Sequence, residues 1–299
     1  MAFEDQDSTG PHDDRAAEFD RHRDVLIGVA YRMLGQVADA EDVVQDAWLR
    51  WARADVGEVL DPRAFLVRTT TRLAIDRLRR LKARREGYVG EWLPEPVDTA
   101  RDGATRLANV EAISLALLVV LESLSPLERA VFVLREAFGF SHAEIARILD
   151  RSEPAVRQLA RRSRDHVRQR RPRFDADQEA HRELTNRFLA ASTSGDLTGL
   201  MGILAPDAVL VADGGGLVRA PLLPVLGAEK VARFLVAVAT RPASDLTAEV
   251  SEVNGAPAVI VWSAREAVAA MVLDIVDRRI SRLYLVANPA KLRNLDLPA

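Results

Sequence analysis

The chain has 299 residues, of which 48% are hydrophobic and 28% charged, with 41 basic and 44 acidic side chains. Two or three domains are expected at this length, and the composition excludes disordered, collagen-like and coiled-coil proteins. The absence of cysteine excludes disulfides, iron–sulfur clusters and thiolate zinc sites, and only five histidines remain for other metal or acid–base chemistry. We therefore expect no metal, no cofactor and no catalytic residue.

The longest strongly apolar run covers residues 113–121, which is far short of the roughly 20 residues that a membrane-spanning helix needs. The first residues are acidic, unlike the basic start of a signal segment. These features predict a cytoplasmic protein without a membrane partner.

Charge is distributed in blocks of opposite sign. Residues 1–24 and 39–61 each have a net charge of −5, whereas residues 63–85 have nine basic side chains against one acid and residues 147–173 have ten against three. Two separate basic segments are typical of a chain that contacts phosphates in two places. A solvated helical face would explain one such segment, but two patterned segments favour nucleic-acid binding.

The apolar pattern divides the chain into a helical part and an α+β part. Residues 1–18 have no periodicity, which predicts a disordered acidic tail. Residues 24–173 have helical periodicity, interrupted over residues 86–102 by glycines and prolines that indicate a linker. Beyond Pro172 the sequence becomes rich in Val, Ile and Ala, and predicts helices over 179–192 and 229–240 with strands over 208–212, 258–262, 268–276 and 280–286.

Two helices with charged faces are predicted in the first half of the helical part. Residues 39–54 carry an apolar stripe with Val43, Ala47 and Trp51 on an otherwise acidic helix. Asp61 and Pro62 then predict the start of a helix over 63–80, in which Arg68, Arg72 and Arg79 lie opposite the apolar side. Two residues break this second pattern: Ile75 lies among the arginines, where we expect it to be exposed, and Arg77 lies on the apolar side.

A helix-turn-helix unit is predicted over residues 125–168. Ser125 with Glu128 and Ser141 with Glu144 are capping boxes that each begin a helix, and Ser152 caps a third. On this third helix Arg157, Arg161, Arg164 and Arg168 form one stripe, opposite the side that packs. Such a stripe can reach phosphates and guanine edges in a major groove, as a recognition helix does.

This combination resembles the extracytoplasmic-function (ECF) sigma factors of bacterial RNA polymerase over residues 20–172. The supporting stretches are 37–49, 62–80 and 127–164, whose order, spacing and residue types agree together. Shorter segments at 92–96, 213–216 and 288–292 resemble the SigJ-like subgroup, which has a SnoaL-like C-terminal domain. The resemblance implies two all-α domains followed by an α+β cone domain: a tail at 1–18, sigma domain 2 at 19–86, a linker at 87–110, sigma domain 4 at 111–173 and the SnoaL-like domain at 176–299.

The resemblance also implies a sigma factor that binds core RNA polymerase and promoter DNA. The acidic helix would bind the polymerase, the first basic helix the minus-ten element and the recognition helix the minus-thirty-five element. The residues expected to bind polymerase are Asp39, Glu41, Asp42, Gln45, Asp46 and Trp48. Those expected to bind DNA are Arg68, Arg72, Asp76, Arg79, Arg80, Arg151, Ser152, Arg157, Gln158, Arg161, Arg162 and Arg164.

The subgroup segments imply regulatory contacts between the linker and the C-terminal domain. The residues concerned are Trp92, Pro94, Glu95, Pro96, Asp213, Gly214, Gly215, Gly216, Asn288, Pro289, Lys291 and Leu292. Leu217 and Ala290 depart from the subgroup pattern, which has lysine and aspartate there. From the residues alone, Asp213 beside three glycines is more simply a turn between strands.

Two alternatives to a sigma factor remain open. One is an ordinary helix-turn-helix regulator whose SnoaL-like domain senses a small ligand of unknown identity. The other is an enzyme tethered to DNA, in which acid–base chemistry would depend on carboxylates such as Asp207, Asp213 or Asp274, since no histidine follows His181.

Overall fold

The computed structural model describes residues 11–54, 59–99, 113–170, 178–240 and 245–295, and the side chains from residue 15 onward. Contacts divide the chain into two compact units. The first comprises Met1–Arg80 and Ser125–Arg164, and the second Leu81–Leu124 and Asp165–Ala299. The unit boundaries differ from the domain boundaries expected at 86/87 and 173/176, because the linker and the first helix after it belong with the C-terminal residues.

The first unit begins with three helices, α1 (Pro11–Leu34), α2 (Val37–Arg53) and α3 (Pro62–Arg85). Since α1 begins at Pro11, the prediction of a disordered tail is wrong for residues 11–18; residues 1–10 lie outside the described part. Two hydrogen bonds hold this turn of α1 against α2: the Trp51 indole donates to the Arg15 carbonyl (3.0 Å), and the Arg15 guanidinium donates to the Ala52 carbonyl (2.7 Å).

Helix α3 is buried on more than one side. Thr69, Thr70 and Thr71 are consecutive and all buried, and Ile75 is only 5% exposed, so the prediction of an exposed Ile75 is wrong. A helix that packs on a single face cannot bury three residues in a row. The tertiary structure around α3 thus overrides the simple division into an apolar and a basic face.

The helix-turn-helix unit is confirmed. Both capping boxes are present, Ser125 with Glu128 at the start of α5 (Pro126–Phe132) and Ser141 with Glu144 at the start of α6 (His142–Leu149). A π-helical turn, Val133–Ala137, continues α5, and α7 (Glu153–Arg170) follows α6. Asp150 turns the chain between α6 and α7 in the left-handed region, with φ of 54°.

The second unit is built on one six-stranded sheet, which confirms the predicted α+β class. The strands are β1 (Leu204–Asp213), β2 (Val225–Leu226), β3 (Leu246–Val253), β4 (Ala256–Ser263), β5 (Glu266–Val276) and β6 (Arg279–Val286), in the order β2-β1-β6-β5-β4-β3. Among the strand pairs of the described residues, β1–β6 alone is parallel. The helices of this unit are α4 (Leu115–Glu122), α8 (Gln178–Ser194), α9 (Leu197–Ile203), α10 (Ala228–Ala239) and α11 (Pro289–Leu292).

Each face of the sheet carries its own apolar core. One core joins strand residues such as Leu210 and Leu283 to Phe188 and Leu235 of α8 and α10. The other joins Ile260 and neighbouring strand residues to α4, α11 and Leu93 of the linker. The linker is therefore a covering element of the sheet, and it also pairs with the edge strand β3, since Asp98 forms an antiparallel bridge with Val253.

Candidate functional site

Helix α7 presents the predicted arginine stripe to solvent. Val156, Ala160, Ser163 and Val167 are buried on its packed side, as the periodicity predicts. Arg157, Arg161, Arg162 and Arg168 are exposed, while Arg164 is half-buried. Some of these arginines have acidic neighbours, since Arg157 pairs with Glu153 (2.5 Å) and Arg164 with Glu136 (2.7 Å). Both pairs are solvent-accessible, so they cost little to exchange for phosphate contacts.

The turn before α7 is also exposed. Arg151, Ser152 and Gln158 lie at the surface at or near the N-terminal end of α7. The Arg151 amide donates to the Ala146 carbonyl (3.0 Å), which closes the turn. The N-terminal end of a recognition helix is the part that enters the major groove, so the structure brings the predicted residues of this group onto one accessible surface.

The predicted DNA-binding residues of α3 are divided between two environments. Arg68, Asp76, Arg79 and Arg80 are exposed, and Asp76 pairs with Arg79 (3.1 Å). Arg72 is half-buried and its Nε donates to the carbonyl of Ile148 in α6 (3.1 Å). In this arrangement Arg72 is therefore engaged by the helix-turn-helix unit.

The residues of α2 that were predicted to bind polymerase differ in exposure. Glu41, Asp42, Gln45 and Asp46 are exposed. Trp48 is half-buried, and its ring meets that of Phe19 edge-on, with ring centroids 5.1 Å apart.

Asp39 is the exception, because it is buried and cannot face a partner. Its carboxylate accepts hydrogen bonds from Arg77 Nε (2.9 Å) and Nη2 (2.5 Å). This hydrogen bond raises the pKa of Arg77 above its usual value. The same pair explains why Arg77 breaks the pattern of α3: it lies on the packed side in order to bind Asp39.

The second unit contains a buried polar cluster centred on Asp213, at the end of β1. The Asp213 carboxylate is fully buried and accepts hydrogen bonds from the Tyr88 hydroxyl (2.6 Å), the Leu93 amide (2.9 Å) and Lys291 Nζ (2.6 Å). Lys291 also donates to the Leu93 carbonyl. The Asp213 carboxylate thus joins the linker, the sheet and α11. Its partners Lys291 and Tyr88 are 78 and 125 positions away from it in the sequence.

Burial shifts the titration of two members of the cluster. Burial lowers the pKa of Lys291 to about 8, although the charge of Asp213 opposes this shift. Burial and the hydrogen bond to Asp213 raise the pKa of Tyr88. The ammonium of Lys291 lies 4.0 Å from the centre of the Trp92 ring, a cation–π contact that replaces part of its lost hydration.

Asn288 completes the cluster and explains the glycines. Its Nδ2 donates to the Tyr88 hydroxyl (2.9 Å), and its Oδ1 accepts from the Ala290 amide (3.0 Å). Gly215 has φ of 63°, and a Cβ added there would overlap the Asn288 side chain. A Cβ added at Gly214 would lie 2.7 Å from the Val218 carbonyl. The turn predicted after β1 is present, and the carboxylate of Asp213 belongs to the cluster.

The remaining residues of the segments 92–96, 213–216 and 288–292 differ in burial. Pro94, Glu95, Pro96 and Leu292 are buried, and Glu95 accepts a hydrogen bond from Asn294 (2.7 Å). Gly216, Pro289 and the two departures, Leu217 and Ala290, are exposed.

Sequence reasoning missed four residues of this region. Tyr88 and Asn294 form hydrogen bonds with Asp213 and Glu95. Arg85 stacks on the Trp92 ring, with its guanidinium carbon 3.3 Å from the ring centre, and pairs with Glu122. Asn254 accepts a hydrogen bond from the Val97 amide (3.1 Å). The only available signal was the position of Tyr88 and Arg85 next to the Trp92 motif.

The carboxylates considered for catalysis do not form one site. Asp207 is exposed, Asp213 is in the cluster and Asp274 is buried. Neither carboxylate oxygen of Asp274 has a hydrogen-bond partner among the described residues, and burial raises its pKa to about 6. Burial also lowers the pKa of His181. Within the described ranges, no group of three or more metal-ligating side chains could hold an ion.

The helical part of the chain matches two regions of a sigma factor, and an α+β domain follows them. Residues 19–84 match Sigma-70 region 2, and residues 114–167 match Sigma-70 region 4. In the part of the chain that the structure describes, no helix is long and apolar enough to cross a membrane.

Two relatives and one solved structure extend the likeness over nearly the whole chain. The ECF RNA polymerase sigma factor SigJ of Mycobacterium tuberculosis is 39% identical over 92% of each chain, and the probable ECF sigma factor SigI of that species is 32% identical over 94% of this chain and 96% of its own. The crystal structure of M. tuberculosis SigJ superposes with a TM-score of 0.75 at 36% identity, over 93% of this chain and 98% of that one. This chain belongs to the ECF RNA polymerase sigma factors.

Proposed function

We propose that this protein brings core RNA polymerase to promoters through the three charged surfaces described above. The observation that carries the proposal is the exposed arginine stripe of α7, which follows a helix-turn-helix with two complete capping boxes. An ordinary amphipathic helix in a bundle needs a polar outer face, but it does not need that face to be cationic at every turn.

In this proposal α7 reads the minus-thirty-five element. Phosphate contacts from the arginines supply affinity that falls with salt. One or two bidentate contacts from Arg157 or Arg161 to guanine supply sequence choice, at about 1–3 kcal/mol each. Arg151 and Ser152, at the start of the helix, position it on the backbone.

Helix α3 engages the minus-ten element with Arg68, Arg72, Asp76, Arg79 and Arg80. Since Arg72 donates to the Ile148 carbonyl, DNA must displace this hydrogen bond to reach it.

The exposed acids of α2 form the polymerase-binding surface. Glu41, Asp42 and Asp46 face solvent beside Trp48, a combination that suits a basic partner and an aromatic anchor. Asp39 supports this surface indirectly by holding α2 against α3. A protein that acts on RNA polymerase and the chromosome works in the cytoplasm.

The C-terminal domain is regulatory in this proposal, and its contact with the linker is the means. Asp213 and Lys291 bind Tyr88 and Leu93 of the linker through hydrogen bonds that occupy the carboxylate of Asp213, so this carboxylate is not free to act as a general base. Release or tightening of this network would change how freely the two sigma regions engage DNA, which is a two-state coupling.

The proposal is tested with promoter DNA and the double variant R157A/R161A. The variant should bind core polymerase like the parent and lose promoter-specific transcription. A matched control, R182A/R187A, removes two exposed arginines from α8 and should leave both properties intact. Loss of polymerase binding together with transcription would indicate misfolding, and retention of promoter specificity would contradict the assignment of α7.

A further inference from the structure

The first unit has a cleft between α3 and α6, of whose arginines the proposed function uses Arg68 alone. Its volume is about 230 Å³. Three arginines line it, Arg63 and Arg68 from α3 and Arg147 from α6, and all three are exposed. Two helices from different sigma regions thus direct cationic side chains toward one space.

None of these three arginines has an acidic side chain within ion-pair distance among the described residues. Arg63 lies over the ring of Phe140, with its guanidinium carbon 5.4 Å from the ring centre. This contact fixes the side chain at the cleft without neutralising its charge.

Two carboxylates also line the cleft, and both are occupied by capping. Asp61 accepts a hydrogen bond from the Ala64 amide (2.9 Å) at the start of α3. Glu144 accepts from the Ser141 amide (2.7 Å) in the capping box of α6. Hydrogen bonds from Ser141 lower the pKa of Glu144, and the charges of Arg147 and Arg63 lower it further. Both carboxylates therefore stay ionised, and the three arginines leave one positive charge in excess at the cleft.

Size and charge together select the kind of ligand. At roughly 30 Å³ per water, the cleft has room for seven or eight waters, and it is smaller than the 300–1,000 Å³ of pockets for drug-sized molecules. Guanidinium groups bind phosphate oxygens in a bidentate manner. We propose that this cleft binds a free phosphate-chain anion, such as a diphosphate or triphosphate group.

Such a ligand would act on promoter binding. It would bridge α3 and α6 beside the Arg72 to Ile148 hydrogen bond, and it would occupy Arg68, one of the proposed minus-ten contacts. The bound anion would therefore hold the two helices together and compete with DNA. This inference goes beyond the proposed function, which needs no small ligand.

The test is calorimetric titration of the full chain with inorganic triphosphate, in parent, R147A and R147K proteins. The parent should bind one equivalent, R147A should bind at least tenfold more weakly, and R147K should lie between because it keeps the charge and loses the fork. The matched control R187A, an exposed arginine on α8, should bind like the parent. No binding by the parent, several equivalents, or equal weakening in the control would overturn the proposal.

A second arm separates a free phosphate chain from the DNA backbone. Triphosphate should weaken the binding of a promoter oligonucleotide to the parent and have at least tenfold less effect on R147A at equal ionic strength. If R147A loses DNA affinity while the parent does not bind triphosphate, the cleft serves a backbone phosphate and the free-anion proposal is wrong. That outcome leaves the function of α7 untouched, since α7 is tested by R157A/R161A.

Discussion

The arginine stripe of α7 and the Asp213 cluster use charge in opposite ways. The arginines of α7 lie in water, where their ion pairs contribute little to stability and remain available for a partner. Asp213 and Lys291 are 0% and 2% exposed at their side chains, and each satisfies the other. Exposed charge is thus suited to binding, whereas buried paired charge fixes which segments of the chain lie together.

Breaking the buried pair should give the largest effect on stability. Asp213→Ala leaves the buried ammonium of Lys291 without its carboxylate, so the free energy of unfolding should fall by about 3–5 kcal/mol. Denaturant unfolding of the full chain measures this change. The double variant D213A/K291M, which removes both charges, should regain part of the loss; if it is no more stable than D213A, the cost does not come from an unpaired charge.

Asp274 differs from Asp213 because neither of its buried carboxylate oxygens has a hydrogen-bond partner among the described residues. Its folded pKa of about 6 lies above its usual value of 3.8, so between these values the folded state binds more protons than the unfolded state. The free energy of unfolding should therefore fall as pH rises through this window. Asp274→Asn should raise the free energy of unfolding by about 3 kcal/mol at pH 7.5 and change it little below pH 4. Asp207→Asn, at an exposed position, is the control. If Asp274→Asn raised the free energy of unfolding equally at both pH values, the ionisation of Asp274 would not be the cause.

The Asp39 and Arg77 pair is intermediate between the two extremes, since Asp39 is buried and Arg77 is partly exposed. Asp39→Ala should destabilise the first unit by about 1–3 kcal/mol through the lost charged hydrogen bonds. Asp42→Ala, whose carboxylate lies 3.3 Å from the same arginine but is exposed, should cost less than 1 kcal/mol. Thermal unfolding of the two variants measures which loses more stability. A larger loss in Asp42→Ala than in Asp39→Ala would contradict the structural role given to Asp39.

The smallest stability effect is expected at the exposed stripe. Arg157→Ala and Arg161→Ala should each change the free energy of unfolding by no more than about 0.5 kcal/mol. Each should nevertheless lower promoter affinity and reduce the slope of its salt dependence by about one. A large loss of stability would show that these arginines support the fold.

The features predicted from sequence are those that local physics decides. Capping boxes at Ser125 and Ser141 and the 3.6-residue pattern of α7 depend on residues within a turn or two of each other. Strand β3 was missed because most of its residues are at least partly exposed and its sequence has no continuous apolar run.

The features that sequence could not give depend on distant partners. Tyr88 and Asp213 are 125 positions apart, and Arg77 and Asp39 are 38 apart. The resemblance identified the three segments that form the cluster. The atoms that pair within it, and the burial of Asp39, follow only from how distant elements pack, which no local pattern specifies.

The most direct measurement is run-off transcription with purified core RNA polymerase and the full chain across a library of promoters. Transcripts should start at discrete positions, downstream of two sequence elements at a constant spacing, and only when the protein is present. If core enzyme produces the same transcripts with and without the protein, the central claim, that this chain directs polymerase to promoters, is contradicted.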